Sequence, residues 1–96
     1  VDLGGIYLEN NVLIGPGARL LTVNHLVDPA KRRGIFVDSI RIKENAWIGA
    51  NATVLAGVTI GKNAIVAADA TVTKDVPDNV IVAGTPARIT KEIDFH

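Results

Sequence analysis

From Ile42 to Pro77 the chain consists of six hexapeptides laid end to end: IKENAW, IGANAT, VLAGVT, IGKNAI, VAADAT and VTKDVP. Counting back at the same phase across an interruption gives three more, LENNVL from Leu8, IGPGAR from Ile14 and LLTVNH from Leu20. The first position of all nine is aliphatic: Leu8, Ile14, Leu20, Ile42, Ile48, Val54, Ile60, Val66 and Val72. On an α-helix of 3.6 residues per turn a six-residue period would drift around the surface instead of holding one apolar stripe. A period kept without drift over this length belongs to a coil of short strands.

Two further columns give the coil its shape. The fifth position reads Val12, Ala18, Asn24, Ala46, Ala52, Val58, Ala64, Ala70 and Val76, so each large aliphatic is matched by a small residue four places on. Large and small share one narrow interior. The fourth position reads Asn11, Gly17, Val23, Asn45, Asn51, Gly57, Asn63, Asp69 and Asp75, residue types that accept a left-handed backbone and hydrogen-bond their own turn. A turn every six residues closes three short strands into a triangular coil of eighteen. Stacked coils then pair as parallel strands about 4.8 Å apart, and the expected fold is an all-β parallel β-helix.

Composition narrows the function. Ten basic residues balance ten acidic ones among 96, which gives no electrostatic bias toward nucleic acid or a membrane surface. The chain has no Cys, so neither a disulfide nor a thiolate nucleophile or metal ligand is available, and its apolar runs are too short to span a bilayer. A reducing, soluble compartment, the cytoplasm, is the expected location. Residues 1–96 are read as one β-helix domain. Because it has no Met and begins at Val1, just short of a repeat, it is expected to be a fragment or processed piece of a longer protein, a chain that simply starts late being the alternative.

The regularity breaks in the hexapeptide Leu20 to His25. Val23 is the one β-branched residue in the turn column, and Asn24 the one polar residue in the small column. Both flank His25, which falls in the outward sixth column and so reads as an accessible imidazole on a rigid strand. Departures from a local rule concentrate at functional sites, and an ordinary surface histidine remains the alternative at this point. Directly afterwards, residues 26–39 (LVDPAKRRGIFVDS) are too long and too polar in the middle for a turn and are expected as an extruded loop. Lys31, Arg32 and Arg33 keep it wet. Its apolar patch, Ile35 to Val37, together with the outward Trp47, is expected to pack on another subunit. Beyond the repeats, Val80 to Ala83 reads as one more strand, followed by a Gly84-Thr85-Pro86 turn and a short charged tail.

The order of these features carries a resemblance. TVNHLVDPAKRRG, then NAWIGANATVLAGVTIGKNAIVAADATVTKDVP, then VIVAGTPARITKEI resembles the C-terminal half of the maltose and galactoside O-acetyltransferases, within the hexapeptide-repeat acyltransferases. The resemblance implies a left-handed β-helix, a homotrimer, acetyl-CoA lying in grooves between neighbouring β-helices, and a small hydroxyl acceptor such as a sugar. It implies His25 as general base, and Trp47, Ala50, Ala68, Thr73, Lys74 and Arg88 along the coenzyme groove, with Lys91 at a further basic position. Asp2 and Asn24 fall on the acceptor side, and no metal is expected. The sequence differs from relatives at Leu26, where they carry Pro, at Ala67-Ala68-Asp69-Ala70, where they carry GAGS, and at Thr85, where they carry Asn.

The residue types suit the chemistry. Transfer of acetyl to a hydroxyl needs a base for the hydroxyl proton, and neutral imidazole has its pKa near the working pH. With no Cys, direct transfer is simpler than an acyl-enzyme, though Ser39 stays in consideration as a spatial neighbour. Backbone N–H groups near Ile48-Gly49-Ala50 are expected to receive the oxyanion, and Lys74 and Arg88 to meet coenzyme phosphates or simply to be solvated charges. A three-histidine zinc enzyme on the same scaffold is disfavoured because only His25 and His96 exist. The rival reading is a truncated, non-catalytic oligomerisation module.

Overall fold

In the computed structural model, residues 5–25 and 35–93 are described, the strands 23–25 and 35–37 by their backbone alone. The described chain forms thirteen strands and no helix. Strands β1 (Ile6–Leu8), β2 (Leu13–Ile14) and β3 (Arg19–Leu20) make the three sides of the first coil. After an extruded pair, β4 (Val23–His25) and β5 (Ile35–Val37), the second coil is β6 (Ile40–Ile42), β7 (Trp47–Ile48) and β8 (Thr53–Val54). The third is β9 (Thr59–Ile60), β10 (Ile65–Val66) and β11 (Thr71–Val72), and β12 (Val80–Ala83) and β13 (Arg88–Glu92) close the end.

The strands stack into three sheets, β1-β6-β9, β2-β7-β10-β12-β13 and β3-β8-β11, which are the faces of a triangular prism. All pairings within the prism are parallel except β12 with β13. Its axis is filled by the first column of the repeat: Ile42, Ile48, Val54, Ile60, Val66 and Val72 are at most 1% exposed. The small column, Ala46, Ala52, Ala64 and Ala70, is equally buried beside them. In the first coil Ile14 is 40% exposed, since among the described residues a coil stacks on it from one side. Corners fall where the fourth column puts them. Asn11, Asn45, Asn51, Asn63 and Asp69 adopt φ of 60–65°, and Gly17 and Gly57 76° and 83°. The asparagine corners from Asn45 onward are tied to the neighbouring coil through the backbone, as when the Asn45 amide donates to Asn10 O at 3.0 Å and the Asn63 amide to Glu44 O at 3.0 Å.

Three expectations are corrected. The extrusion begins earlier and ends sooner than residues 26–39. Val23–His25 has already left the coil and pairs antiparallel with Ile35–Val37, in the register Val23↔Val37, Asn24↔Phe36, His25↔Ile35. By Asp38, whose amide donates to Thr22 O at 2.7 Å, the chain is back at the prism, and Ile40 pairs with Ile6. Val23 and Asn24 therefore break the column rules because they belong to a ribbon, where a β-branched residue suits the strand and no turn is made. His25 accordingly ends a ribbon strand, not an outer position of the coil.

The final hexapeptide is also not a full repeat. Ile42↔Ile60, Ile48↔Val66 and Val54↔Val72 are eighteen residues apart, whereas Val76 bridges Ile60 and Val82 pairs with Val66, both sixteen apart. Val76, read as a small-column residue, takes the large-column place in the shortened last coil, and Asp75 makes no left-handed corner. Its carboxylate instead accepts the Thr59 amide at 2.9 Å. Finally, the charged tail is the strand β13, with a bulge at Thr90, whose hydroxyl donates to Ile81 O at 3.2 Å.

Candidate functional site

The corner between the second and third faces differs from the others in its side chains. Gly15, Gly49 and Ala67 hold one repeat position on successive coils, and Pro16, Ala50 and Ala68 the next. With Trp47 they line a groove of about 330 Å³ that runs along the prism axis and contains no polar side chain. Trp47, 50% exposed, forms one wall.

The floor of that groove is polar through its backbone. At the corner between the first and second faces, the Glu44 amide donates to the carboxylate of Glu9 at 3.1 Å, and the Lys62 amide to that of Asp78 at 2.8 Å. One corner on, Gly15 stands in the repeat position of Glu9, and Ala50 in that of Glu44. No side chain is there to cap the amide. A Cβ on Gly15 would stand 2.7 Å from Ala50 N, and one on Gly49 2.7 Å from Ala68 N. Among the described residues, neither the Ala50 nor the Ala68 amide has a hydrogen-bond partner. The two N–H groups lie one coil apart beside an apolar groove, and a carbonyl oxygen bound there could accept from them. The Gly49 amide, expected among the oxyanion donors, is taken by Val66 O at 2.8 Å, whereas the Ala50 amide has no partner among the described residues.

The remaining sequence-predicted residues are distributed as follows. Trp47, Ala50 and Ala68 come together in this groove. Lys74 and Arg88 sit on a second cavity, of about 390 Å³, at the end of the prism where Val72, Val76 and Val82 close the interior. Among the described residues neither cation is in an ion pair, and Arg88 donates only to the adjacent Ala87 O at 3.1 Å. Thr73 is exposed beside Lys74, and Lys91 is exposed on β13 opposite Ile81. His25 and Asn24 are placed by backbone register on the ribbon, which leaves the prism at the corner between the third and first faces. Asp2 lies outside the described residues. His25 and the groove thus occupy different corners of one chain. Gly15 and Pro16 were not anticipated as site residues, and Gly49 was anticipated only for its amide. The signal that finds them is their recurrence at one phase, Ile-Gly followed by a small residue or proline.

Outward residues separate the faces further. In register across the second face stand Leu13, Trp47, Ile65 and Ile81, all apolar, with Lys91 at the end. The first face presents Tyr7, Arg41 and Thr59, with the Arg41 guanidinium 4.7 Å from the Tyr7 ring centre, and the third presents Arg19, Thr53 and Thr71. Among the described residues no cluster of His, Asp or Glu is placed to hold a metal ion, and no helix is long and apolar enough to cross a membrane.

A triangular prism of hexapeptide coils with a glycine-opened groove along one corner defines a left-handed β-helix of the hexapeptide-repeat class. Residues 39–74 match the bacterial transferase hexapeptide family (six repeats). The chain is 42% identical over 96 residues to the galactoside O-acetyltransferase of Lactococcus lactis, a match covering 98% of this chain and 46% of that protein. Among solved structures, a galactoside acetyltransferase in complex with coenzyme A superposes with a TM-score of 0.84 at 38% identity, covering 93% of this chain and 46% of the other. A hexapeptide-repeat-containing acetyltransferase from Vibrio cholerae complexed with acetyl coenzyme A gives 0.81 at 30% identity, over 95% and 62%. The repeat region belongs to the hexapeptide transferases, and nearly the whole chain is a relative of the galactoside O-acetyltransferases. It spans about half the length of the curated relatives it matches.

Proposed function

We propose that the native protein is an acetyl-CoA-dependent O-acetyltransferase acting on a hydroxyl of a sugar or similar small acceptor. The observation that carries this reading is the groove with uncapped amides at Ala50 and Ala68, since an apolar channel with two aligned donors fits the amide-bearing arm of acetyl-CoA. The relatives whose structures hold coenzyme A or its acetyl ester support that choice of ligand. In the reaction, a ring nitrogen of His25 takes the hydroxyl proton as the oxygen attacks the thioester carbonyl. The Ala50 N–H receives the developing oxyanion. Collapse breaks the carbon–sulfur bond, the thiolate takes the proton from imidazolium, and the products are the acetyl ester and free coenzyme A. Lys74 and Arg88 meet the coenzyme phosphates, Thr73 and Lys91 flank them, and Asp2 and Asn24 hold the acceptor.

His25 reaches the groove from a neighbouring copy in this reading. The ribbon that bears it leaves at the corner opposite the apolar second face, so one copy's ribbon serves the next copy's groove, and a head-to-tail contact of this kind closes as a homotrimer. Light scattering of the native protein is expected to give a trimer. A stable monomer at micromolar concentration would contradict the shared site. The reaction itself is tested by incubation with acetyl-CoA labelled in its acetyl group and a galactoside. Label is expected in the sugar, and a sugar that stays unlabelled would contradict the proposal.

A further inference from the structure

The groove changes character along its length. Its corner is the same turn on three successive coils, at residues 15–18, 49–52 and 67–70. In each, the amide of the fourth residue donates to the carbonyl of the first: Ala18 to Gly15 O at 3.3 Å, Ala52 to Gly49 O at 3.3 Å and Ala70 to Ala67 O at 3.2 Å. The third residue is left-handed in all three, with φ of 76° at Gly17, 60° at Asn51 and 65° at Asp69. The second residue is Pro16, then Ala50, then Ala68.

Proline suits the second place of such a turn, because its ring presets φ. The turn does not demand it, since alanine makes the same turn on the next two coils. What proline does that alanine does not is withhold an N–H. Among the described residues, Ala68 and Ala50 carry free amides beside the groove, one coil or about 4.8 Å apart. That rank of donors stops at the first coil. The Gly15 amide is taken by Ile48 O at 2.7 Å, and Pro16 O accepts the Asn51 amide at 3.0 Å. Gly15 and Pro16 nevertheless line the groove. It runs from two donors into a stretch that offers none, bounded by a pyrrolidine ring and a residue without a side chain.

We infer that Gly15 and Pro16 form the seat of the acyl chain, and that this seat takes acyl groups longer than acetyl. The inference rests on the proposed transferase function and adds the chain length of the donor. With the phosphates at Lys74 and Arg88, past the third coil, the coenzyme arm runs toward the first coil and its thioester carbonyl arrives at the Ala50 amide. Beyond that carbonyl the donor has only the alkyl part of its acyl group. An N–H on residue 16 would lose water to that chain and gain no partner, a costly state for a donor. Proline has no such group to strand. The transfer keeps its balance with butyryl in place of acetyl. The acceptor oxygen bonds the carbonyl carbon, the carbon–sulfur bond breaks, and the hydroxyl proton passes through His25 to the thiolate.

The test is titration calorimetry of the native protein with acetyl-CoA and with butyryl-CoA, without acceptor. Butyryl-CoA is expected to bind about tenfold more tightly, the effect of covering two further methylenes. Pro16→Ala restores the N–H in a turn that alanine already makes on the other coils. In that variant the ratio of the two affinities is expected to fall to near one, and because both are measured on the same protein, a general loss of coenzyme binding cancels. Equal affinities in the wild type, or a tenfold preference kept in Pro16→Ala, overturns the assignment. Mass spectrometry of a galactoside incubated with butyryl-CoA is expected to show the butyryl ester. A preference that Pro16→Ala abolishes, with no acyl group of either length reaching the sugar, would refute the reaction and leave the seat standing. Acetyl transfer with no preference for chain length would do the reverse.

Discussion

The amide nitrogen of Ala68 lies 2.7 Å from the point where a Cβ on Gly49 would stand, and Val66 O lies 2.8 Å from it. Both atoms belong to backbone, which cannot swing aside as a side chain does. Gly49→Ala should therefore force the coils apart locally, at about 1–3 kcal/mol, the usual cost of overpacking. Thermal denaturation should show Tm lowered by several degrees, at about 4–8 °C per kcal/mol for a domain of this size. The same methyl covers the Ala68 amide, so coenzyme A affinity measured by calorimetry should fall as well. A variant with wild-type Tm and affinity would show that the close approach has no consequence.

Asp75 replaces a turn with a hydrogen bond. Its carboxylate accepts the Thr59 amide at 2.9 Å where the shortened last coil has no left-handed corner. Asp75→Ala removes the acceptor and is expected to cost about 0.5–1.5 kcal/mol in urea denaturation. Asp75→Asn, which keeps an acceptor oxygen, is expected to recover most of it. Equal losses in the two variants would mean that the bond contributes nothing.

Sequence periodicity revealed the fold well because the interior admits few solutions. Ile42, Ile48, Val54, Ile60, Val66 and Val72 are read as one column and all are buried on the axis. Asn45, Asn51, Asn63 and Asp69 are read as corners and all have positive φ. The reading failed where tertiary pairing overrides phase. Val76 keeps the hexapeptide spacing in sequence but pairs with Ile60 two residues early. Ile35 to Val37 has the composition of an apolar loop patch, yet its partner strand, Val23–His25, reads by phase as part of the coil. For the site, Trp47, Ala50 and Ala68 were legible through the resemblance, whereas Gly15 and Gly49 contribute by lacking side chains. An open amide has no signature in a list of residue types and appears only when the coils are stacked.

Lys74 and Arg88, with no ion pair among the described residues, border a cavity at one end of the prism. If they meet coenzyme phosphates, Lys74→Ala and Arg88→Ala should each weaken coenzyme A binding. The loss should be larger at low salt than at high salt, because the Debye length contracts from about 30 Å at 0.01 M to about 10 Å at 0.1 M ionic strength. Titration calorimetry at two salt concentrations reads this directly. Affinities equal to wild type at both would remove the two residues from the coenzyme site.

The proposed chemistry stands on His25 as a general base. The decisive measurement is the acceptor-dependent release of coenzyme A thiol from acetyl-CoA by the native protein and by its His25→Ala variant, with coenzyme affinity and oligomeric state checked in parallel. A base in direct transfer contributes about 10²–10⁴-fold. The wild type is expected to release one thiol for each sugar acetylated. His25→Ala is expected to bind coenzyme A as before and to lose that factor in kcat. Turnover by His25→Ala at the wild-type rate would contradict the assignment of His25 as the base.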